Sequence, residues 1–491
     1  MFIIIYYYGS VEIHFDKKTQ GGFYFFVQNE RSFIVETSFF NEFVKDKAFY
    51  KRLLLITVPI VIQNLIASSL NMLDTLMIGK VGEVELAAVG IANQYYFLYS
   101  LIAMGIGAGC GVFIAQLWGK KDKANIKRAL GIGLIVGGII SIIFMSVGII
   151  IPEKIMSLFN KDPRVIKIGS EYLLIVAISY FFSSITFNYA AALRSIENTV
   201  LPMVASFIGL ITNGILNYIF IFGKLGFGAM GVKGAAIATV VARITECLII
   251  LIAVYVNNKV LNGNIKELIS LSKKVIDAIY KVTLPIVLNE ACWGLGNVTY
   301  AAIYGRIGTG AAAAIQICTT VMNLFMIITF GLANASVVVI GNEIGANRED
   351  KGKIYAKRIS KLTFVISIVL SVILAVMAKP IISVFNISEA VRVSSLYILY
   401  IYSCVLIVKV CNNVLIVGIL RGGGDATYGS LLQAFTLWFI GIPLAAVAAF
   451  ILKFPVYLVV LMTVVEEIIK VVMLLRRFHS DKWIHNMVKD M

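Results

Sequence analysis

Apolar runs of twenty or more residues recur along most of the chain, separated by short polar connections. A helical crossing of a ~30 Å hydrocarbon layer needs about 20 apolar residues. Twelve stretches meet that length, at approximately 53–78, 86–115, 128–151, 167–191, 200–222, 232–256, 278–304, 311–340, 358–379, 392–419, 429–450 and 455–475. Residues 1–48 stand apart. They open on an apolar run too short to span, without the basic start and small-residue cleavage site of a signal peptide. Phe23, Phe25, Phe26, Phe39 and Phe40 then either suit a membrane interface, where aromatics are favoured, or belong to an upstream extension with no defined fold. No function is assigned to this extension.

The first span breaks the apolar pattern in an ordered way. Gln63, Asn64, Asn71 and Asp74 fall on one side of a helix at 100° per residue, forming a polar stripe. A charged side chain at the bilayer centre costs roughly 2.5–3.5 kcal/mol on insertion scales, so such residues normally face a cavity or a partner. Asp74 is therefore a functional candidate. The alternative is that it lies near the membrane edge, five residues before Gly79, and snorkels or caps.

Composition agrees with a polytopic all-helical membrane protein. Of 491 residues, 59% are hydrophobic and only 14% charged, with a mean hydropathy of +0.90. The net charge of +16 gathers in alternate connections. Lys120, Lys121, Lys123, Lys127 and Arg128 face a single acid, Asp122, between spans two and three; 257–277 and 341–357 are also basic, and Arg476 and Arg477 open the tail. By the positive-inside rule these loops and both termini are expected in the cytoplasm, and the protein in the plasma membrane. No basic stretch is interleaved with stacking aromatics, so nucleic-acid binding is not expected. The six cysteines lie in apolar runs without paired spacing, and His14, His479 and His485 lie outside the spans. No disulfide framework, zinc site or His-based catalytic set is suggested. Walker, GxSxG, HExxH and dinucleotide motifs are not found in a suitable context. The chain is expected not to be an enzyme, and to need no cofactor beyond a coupling ion.

The strongest pattern is an internal repeat at an offset of 226 residues. It pairs Pro59 with Pro285, Gly79 with Gly305, Gly82 with Gly308, Gly105 with Gly331, and Gly119 with Gly345. GKVGEVELAAVG overlays GRIGTGAAAAIQ without a gap, and Phe159–Asn160 overlays Phe385–Asn386. ALRSIENT (192–199) echoes ILRGGGDAT (419–427) with the offset slipping by one. Each half holds six spans, an even number, so the halves share orientation and are related by an axis along the membrane normal. The predicted division is an N-terminal extension (1–48), a first lobe (49–256), a cytoplasmic linker (257–277), a second lobe (278–476) and a cytoplasmic tail (477–491).

The stripe is repeated too: Gln63, Asn64 and Asn71 overlay Asn289, Glu290 and Asn297, whereas Asp74 overlays Tyr300. Asn213 and Asn217, four apart, share a face of the fifth span, and Thr239 sits in the sixth. Amide and hydroxyl oxygens with one carboxylate suit Na⁺ or a protonatable acid; membrane asparagines also simply bridge helices. Arg243 with Glu246 reads as a structural pair, Glu466 and Lys470 as an ion pair toward the cytoplasmic side, and Arg194 and Arg421 as cytoplasmic-side anchors. Lys409, beside Asn412 and Asn413 and overlaying Ser183, is a candidate for lining a cavity. The expected substrate-cavity set is Gln63, Asn64, Asn71, Glu290, Asn297 and Lys409.

These residues resemble the MATE family of multidrug and toxin extrusion transporters. The resemblance is carried by Pro59 with Asp74, Gly79 and LAAVG, Gln116 to Gly119, LRS and TVLP near 193–202, and NGILNYIFIFG with GVKGAAIAT. LPIVLNEACWGLG, GRIG, GNEIGA and LRGGGD carry it in the second half, so it covers about 50–485. It implies twelve helices in two six-helix lobes around a central cleft, exporting small cationic amphipathic compounds in exchange for H⁺ or Na⁺. It also implies that Asp74, Asn213, Asn217 and Thr239 surround the coupling cation. Many relatives place a seventh-helix acid where this chain has Trp293; here Glu290 lies one turn earlier. The tenth-helix acid of some relatives falls near Lys409–Val410, where there is none. The rival expectations are a lipid-linked oligosaccharide flippase, which calls for cavity Arg and Lys, an integral-membrane lipid enzyme, and a channel. No obligate protein partner is evident.

Overall fold

The computed structural model describes residues 12–14, 24–26, 46–257, 260–270, 273–385 and 387–489. Most of the N-terminal extension, part of the linker and Asn386 of the repeat therefore lie outside the described residues. The chain divides into two units, Met1–Leu55 and Ile56–Met491. The first holds β1 (Glu12–His14) and β2 (Tyr24–Phe26), antiparallel with Glu12 opposite Phe26, and the opening turns of the first helix.

Twelve helices follow: α1 (Lys47–Gly79), α2 (Glu83–Lys120), α3 (Lys123–Ile150), α4, broken into Pro163–Val176 and Ser179–Ser195, α5 (Val200–Phe222) and α6 (Val232–Asn257). The second set is α7 (Lys273–Ile307), α8 (Thr309–Gly345), α9 (Glu349–Ser383), α10 (Glu389–Leu420), α11 (Ala426–Ile451) and α12 (Val456–His479). Among the described residues nine helices are long and apolar enough to span by themselves, and α4, bent by 51° at its break, makes a tenth. Polar residues set α7 and α12 apart: Asn289, Glu290 and Asn297 in one, Glu466, Glu467 and Lys470 in the other. Both take their places in the bundle, as membrane-buried polar residues do when they face protein rather than lipid. The helices run several residues past the apolar stretches because polar turns extend them; α12 continues to His479 and α7 starts at Lys273. Asp122 caps α3 by accepting from the Asn125 backbone N–H at 3.1 Å. Pro59 and Pro285 lie inside α1 and α7 at matching positions.

The repeat is visible as matched contacts between lobes. A side chain at Gly105 on α2 would meet Val287 on α7; one at Gly331 on α8 would meet Val61 on α1. Val61 and Val287 are themselves repeat partners. The glycines thus let helices of opposite lobes approach closely, the role small residues play in membrane bundles. At the ends of α2 and α8 the approach is closest. A Cβ at Gly119 would strike the Asn342 carbonyl, and one at Gly345 the Gln116 carbonyl.

The same end carries the basic loops. Lys127 pairs with Glu267 of the linker at 2.9 Å, and that bond, with the Asn264 backbone N–H, holds the exposed Glu267 carboxyl below its ordinary range. Asn342 of the second lobe donates to Glu197 of the first at 2.6 Å. The segment after α12 crosses both lobes here. Gln116 donates to the His485 carbonyl at 3.1 Å and accepts from the Met487 backbone N–H at 2.9 Å, and Lys120 donates to the Val488 carbonyl at 2.7 Å. Asn486 donates to the Ile344 carbonyl at 2.9 Å, and the His485 backbone N–H to the Gly423 carbonyl at 2.7 Å. Val488 is buried in the first lobe's core, and Trp483 is buried against Gly423 of the second.

Because this segment bridges the lobes through buried apolar side chains, Trp483→Ala is expected to cost about 3 kcal/mol, the low end for a buried Trp truncation. Thermal unfolding in detergent checks it, with exposed Lys482→Ala as the control that should not change.

Candidate functional site

Asp74 sits in the last third of α1, turned toward α5. Asn217 donates to its Oδ1, and also to Asn213 Oδ1 at 2.9 Å. Asn213 in turn approaches Thr239 Oγ1 of α6 at 3.5 Å, the limit of a hydrogen bond, while Thr239 donates to the Ala235 carbonyl at 3.0 Å. Both asparagines are fully buried, and Asn217 Oδ1 has no hydrogen-bond partner. The i,i+4 spacing on α5 puts both amides on one face, and the packing of α5 on α6 brings Thr239 to them. Asp74, Asn213, Asn217 and Thr239 thus come together from three helices.

The donor set is all oxygen apart from the amide nitrogens: a carboxylate, an unpartnered buried carboxamide oxygen, a second carboxamide oxygen and a hydroxyl. Such a set suits a hard cation such as Na⁺, or a proton on Asp74. It does not suit a transition metal, and among the described residues no group of three His, Cys, Asp or Glu could hold one. A small pocket adjoins it, lined by Leu70, Gly209, Asn213, Thr239, Ala242, Arg243 and Glu246.

A second network lies toward the basic-loop end of the first lobe. Arg194 of α4 donates to Gln63 at 3.3 Å, Gln63 to Ser206 at 3.1 Å, and Ser206 to Glu246 at 2.6 Å; Glu246 closes on Arg243 at 3.0 Å. Arg243 and Glu246 are therefore paired, as their spacing suggests. Half-buried Arg194, expected as a cytoplasmic-side anchor, is held by a side chain of α1.

The second lobe repeats this contact with altered chemistry. Arg421 of α10, 3% exposed, pairs with Glu290 of α7 at 2.8 Å. With its amide oriented to satisfy both ends, Asn289 also accepts from Arg421 at 3.2 Å and donates to the Ser430 carbonyl at 3.2 Å. Gln63–Arg194 and Glu290–Arg421 have the same sequence separation, 131 residues, so they are one contact made twice. Arg421 is an interior partner rather than an anchor. Glu290 is thereby neutralised by a neighbour.

The rest of the expected cavity set does not gather in one place. Asn64 is half-buried, Asn71 exposed, with its carbonyl accepting from Thr75 at 2.8 Å, and exposed Asn297 donates to the Trp293 carbonyl at 2.8 Å. Lys409 lies 5.4 Å from the centre of the Tyr402 ring.

Glu290→Gln rebuilds in the second lobe what Gln63 makes in the first, so it is expected to cost about 1 kcal/mol, one hydrogen bond's worth. Arg421→Leu strands a carboxylate and is expected to cost about 3 kcal/mol or more. Comparing the unfolding midpoints of the two variants checks the order; the reverse order would make the acid the anchor.

The Glu466–Lys470 pair expected from their spacing forms, but sequence reasoning missed that Tyr300 joins it in one buried group. Glu466 Oε2 accepts from Tyr300 at 3.0 Å and its Oε1 from Lys470 at 2.7 Å, in the middle of α12 rather than near its cytoplasmic-side end. The signal was available. Tyr300 overlays Asp74, and Thr239 and Arg243 overlay Glu466 and Lys470 at the slipped offset of 227.

Two parallel six-helix repeats are an architecture of membrane transporters. The MatE family model matches twice, over residues 59–219 and 285–447, once in each repeat. The chain belongs to the MatE family. It is 22% identical over 407 residues to the probable multidrug resistance protein YoeA of Bacillus subtilis, covering 81% of this chain and 86% of that one. It is 26% identical over 402 residues to the probable multidrug resistance protein NorM of Haemophilus ducreyi, covering 81% and 86%. Among solved structures, an outward-facing multidrug resistance MATE family transporter of the MOP superfamily superposes with a TM-score of 0.80 at 19% identity, covering 88% of this chain and 96% of that one. A MOP superfamily transporter from Pyrococcus furiosus, described as having a binding pocket of reverse polarity, superposes at 0.78 with 20% identity, covering 88% and 96%.

Proposed function

We propose that this protein is a multidrug exporter that expels small cationic amphipathic compounds in exchange for H⁺ or Na⁺ at Asp74. The observation that carries the reading is the environment of Asp74: its direct hydrogen-bond partner is a neutral amide, whereas Glu290, Glu246 and Glu466 each pair directly with a cationic side chain. A carboxylate without a direct counter-ion is the group that H⁺, Na⁺ and an organic cation can compete for. The names of the relatives and the absence of any catalytic motif support the same reading. The basic-loop end is assigned to the cytoplasm and the protein to the plasma membrane, which makes the lobes closed toward the cytoplasm in this state. No protein partner is invoked.

Transport of polyanionic, lipid-linked headgroups is the alternative. It draws on Arg194, which donates to neutral Gln63 and not to an acid. Reconstituted vesicles decide between them. Ethidium, a cationic amphipathic dye, is expected to move uphill under an imposed Na⁺ or H⁺ gradient, each tested alone. Movement of an anionic dye in its place, or of neither, overturns the export reading.

A further inference from the structure

The second lobe buries more ionisable groups than a structural ion pair requires. Glu466, Glu467 and Lys470 lie within one turn of α12; Lys470 Nζ reaches Glu466 at 2.7 Å and Glu467 at 3.4 Å. The two carboxylates share that one ammonium. From α7, Tyr300 donates to Glu466, with Tyr304 stacked beside it at 6.1 Å between ring centres. From α10, Asn412 donates to Glu467 Oε2 at 2.7 Å, and Lys409, over Tyr402, acts on Glu467 electrostatically. From α11 Gly441 faces the group, where a Cβ would meet Glu466 and Tyr300.

We propose that this cluster is a proton-binding site of the second lobe, with Glu467 as the group that exchanges the proton. Four observations carry it. Glu466 has both oxygens occupied, by Lys470 and Tyr300, and forms a close pair with the ammonium; Glu467 lies farther from that ammonium, 3.4 Å against 2.7 Å, and is the more exposed acid, 15% against 6%. Asn412, 3% exposed, has a buried Oδ1 with no partner directly beside an acid that can only accept while ionised. A proton on Glu467 supplies the missing donor. An ammonium already fills the cation position between the carboxylates, so Na⁺ has no place there, unlike in the oxygen-only site around Asp74. Finally, π-helical turns interrupt α10 at Val414–Leu420, just beyond Asn412, and α11 at Leu437–Gly441, ending at the cluster. Such turns are frequent at functional sites.

The two lobes thus hold the same elements exchanged between helices. In the first, the acid is on the lobe's first helix (Asp74) and the hydroxyl on its sixth (Thr239). In the second, the hydroxyl is on the corresponding first helix (Tyr300) and the acid on the sixth (Glu466).

This inference extends the antiport reading, but its test reads protonation directly. Infrared difference spectra of the reconstituted full chain, taken between acidic and alkaline buffer, report buried carboxyl groups by their protonated C=O band. Asp74→Asn is expected to keep such a band, and adding Glu467→Gln to remove it. Glu467→Gln leaves the Glu466–Lys470 pair neutral and so should fold. Glu467→Asp, which keeps the charge, is expected to move the band in frequency rather than abolish it. Added NaCl at constant pH should leave this band unchanged. A band that neither Glu467 variant alters, or one that Na⁺ displaces, overturns the proposal. Loss of ethidium transport in the wild type would instead count against the export reading and leave the spectroscopic result standing.

Discussion

Asp74→Asn is expected to insert and fold like the wild type and to lose about a hundredfold in gradient-driven ethidium accumulation, toward the upper end of the range for energetic coupling between sites. The change removes a charge that is costly inside a membrane and keeps the shape of the side chain. Asn217 can still hydrogen-bond to the new amide's oxygen, so the α1–α5 contact survives. What is lost is the one group for which the driving ion and an organic cation compete. A ligand shifts an equilibrium between two states only through its different affinity for them, and without the charge neither cation retains that difference. Efflux under an imposed gradient, with unfolding midpoints measured alongside, is the check. Uphill accumulation at the wild-type rate would remove Asp74 from the coupling role.

The second large effect is expected at the crossing of α2 and α8. Gly119→Val and Gly345→Val each drive a branched side chain into a backbone carbonyl of the opposite helix, Asn342 in one case and Gln116 in the other. Backbone cannot give as a side-chain tip can, so overpacking of about 1–3 kcal/mol falls on the contact between lobes rather than within either one. Both variants should therefore hold the lobes apart at the basic-loop end and abolish exchange, with each lobe still folded. Thiol labelling of Ala115→Cys, at a fully buried position beside Gly341, reads the opening: labelling should rise in both glycine variants. Unchanged labelling with unchanged transport would show that the crossing has slack. The effect should be symmetric, because the two glycines are one position of the repeat.

The extent to which the site could be read from sequence follows from what periodicity can report. Asn213 and Asn217 are four apart, so their common face is a property of one helix and needs no partner to be seen. Asp74 stands out because a carboxylate in an apolar run is costly wherever the helix packs. The matched glycines Gly105/Gly331 and Gly119/Gly345 are visible because close approach admits no side chain, and both repeats must make the same approach. Each of these is a local or a repeated constraint.

Partner choice is of another kind. Gln63 meets Arg194, and Glu290 meets Arg421, across 131 residues of chain. The offset between repeats slips from 226 to 227 on the way, and one residue of slip turns a helix face by 100°. On the sequence pairing, Gln63 overlays Asn289; in the packed lobe, the arginine contact it makes is made chiefly by Glu290. That difference converts Glu290 from an exposed acid awaiting a cation into half of an ion pair.

The sequence alone determined that the chain crosses the membrane twelve times in two parallel repeats, that Asp74 is an interior acid, and that Asn213 and Asn217 share a face. These follow from apolar length, the helical period and the cost of burying charge. Only the tertiary structure decided which acids are neutralised, that Thr239 joins Asp74 while Tyr300 joins Glu466, and that Glu466, Glu467 and Lys470 sit mid-helix as one group. Those outcomes depend on the angle and depth at which helices far apart in the chain pack together. No local pattern encodes them, because a helix presents the same face to whichever neighbour the fold places there.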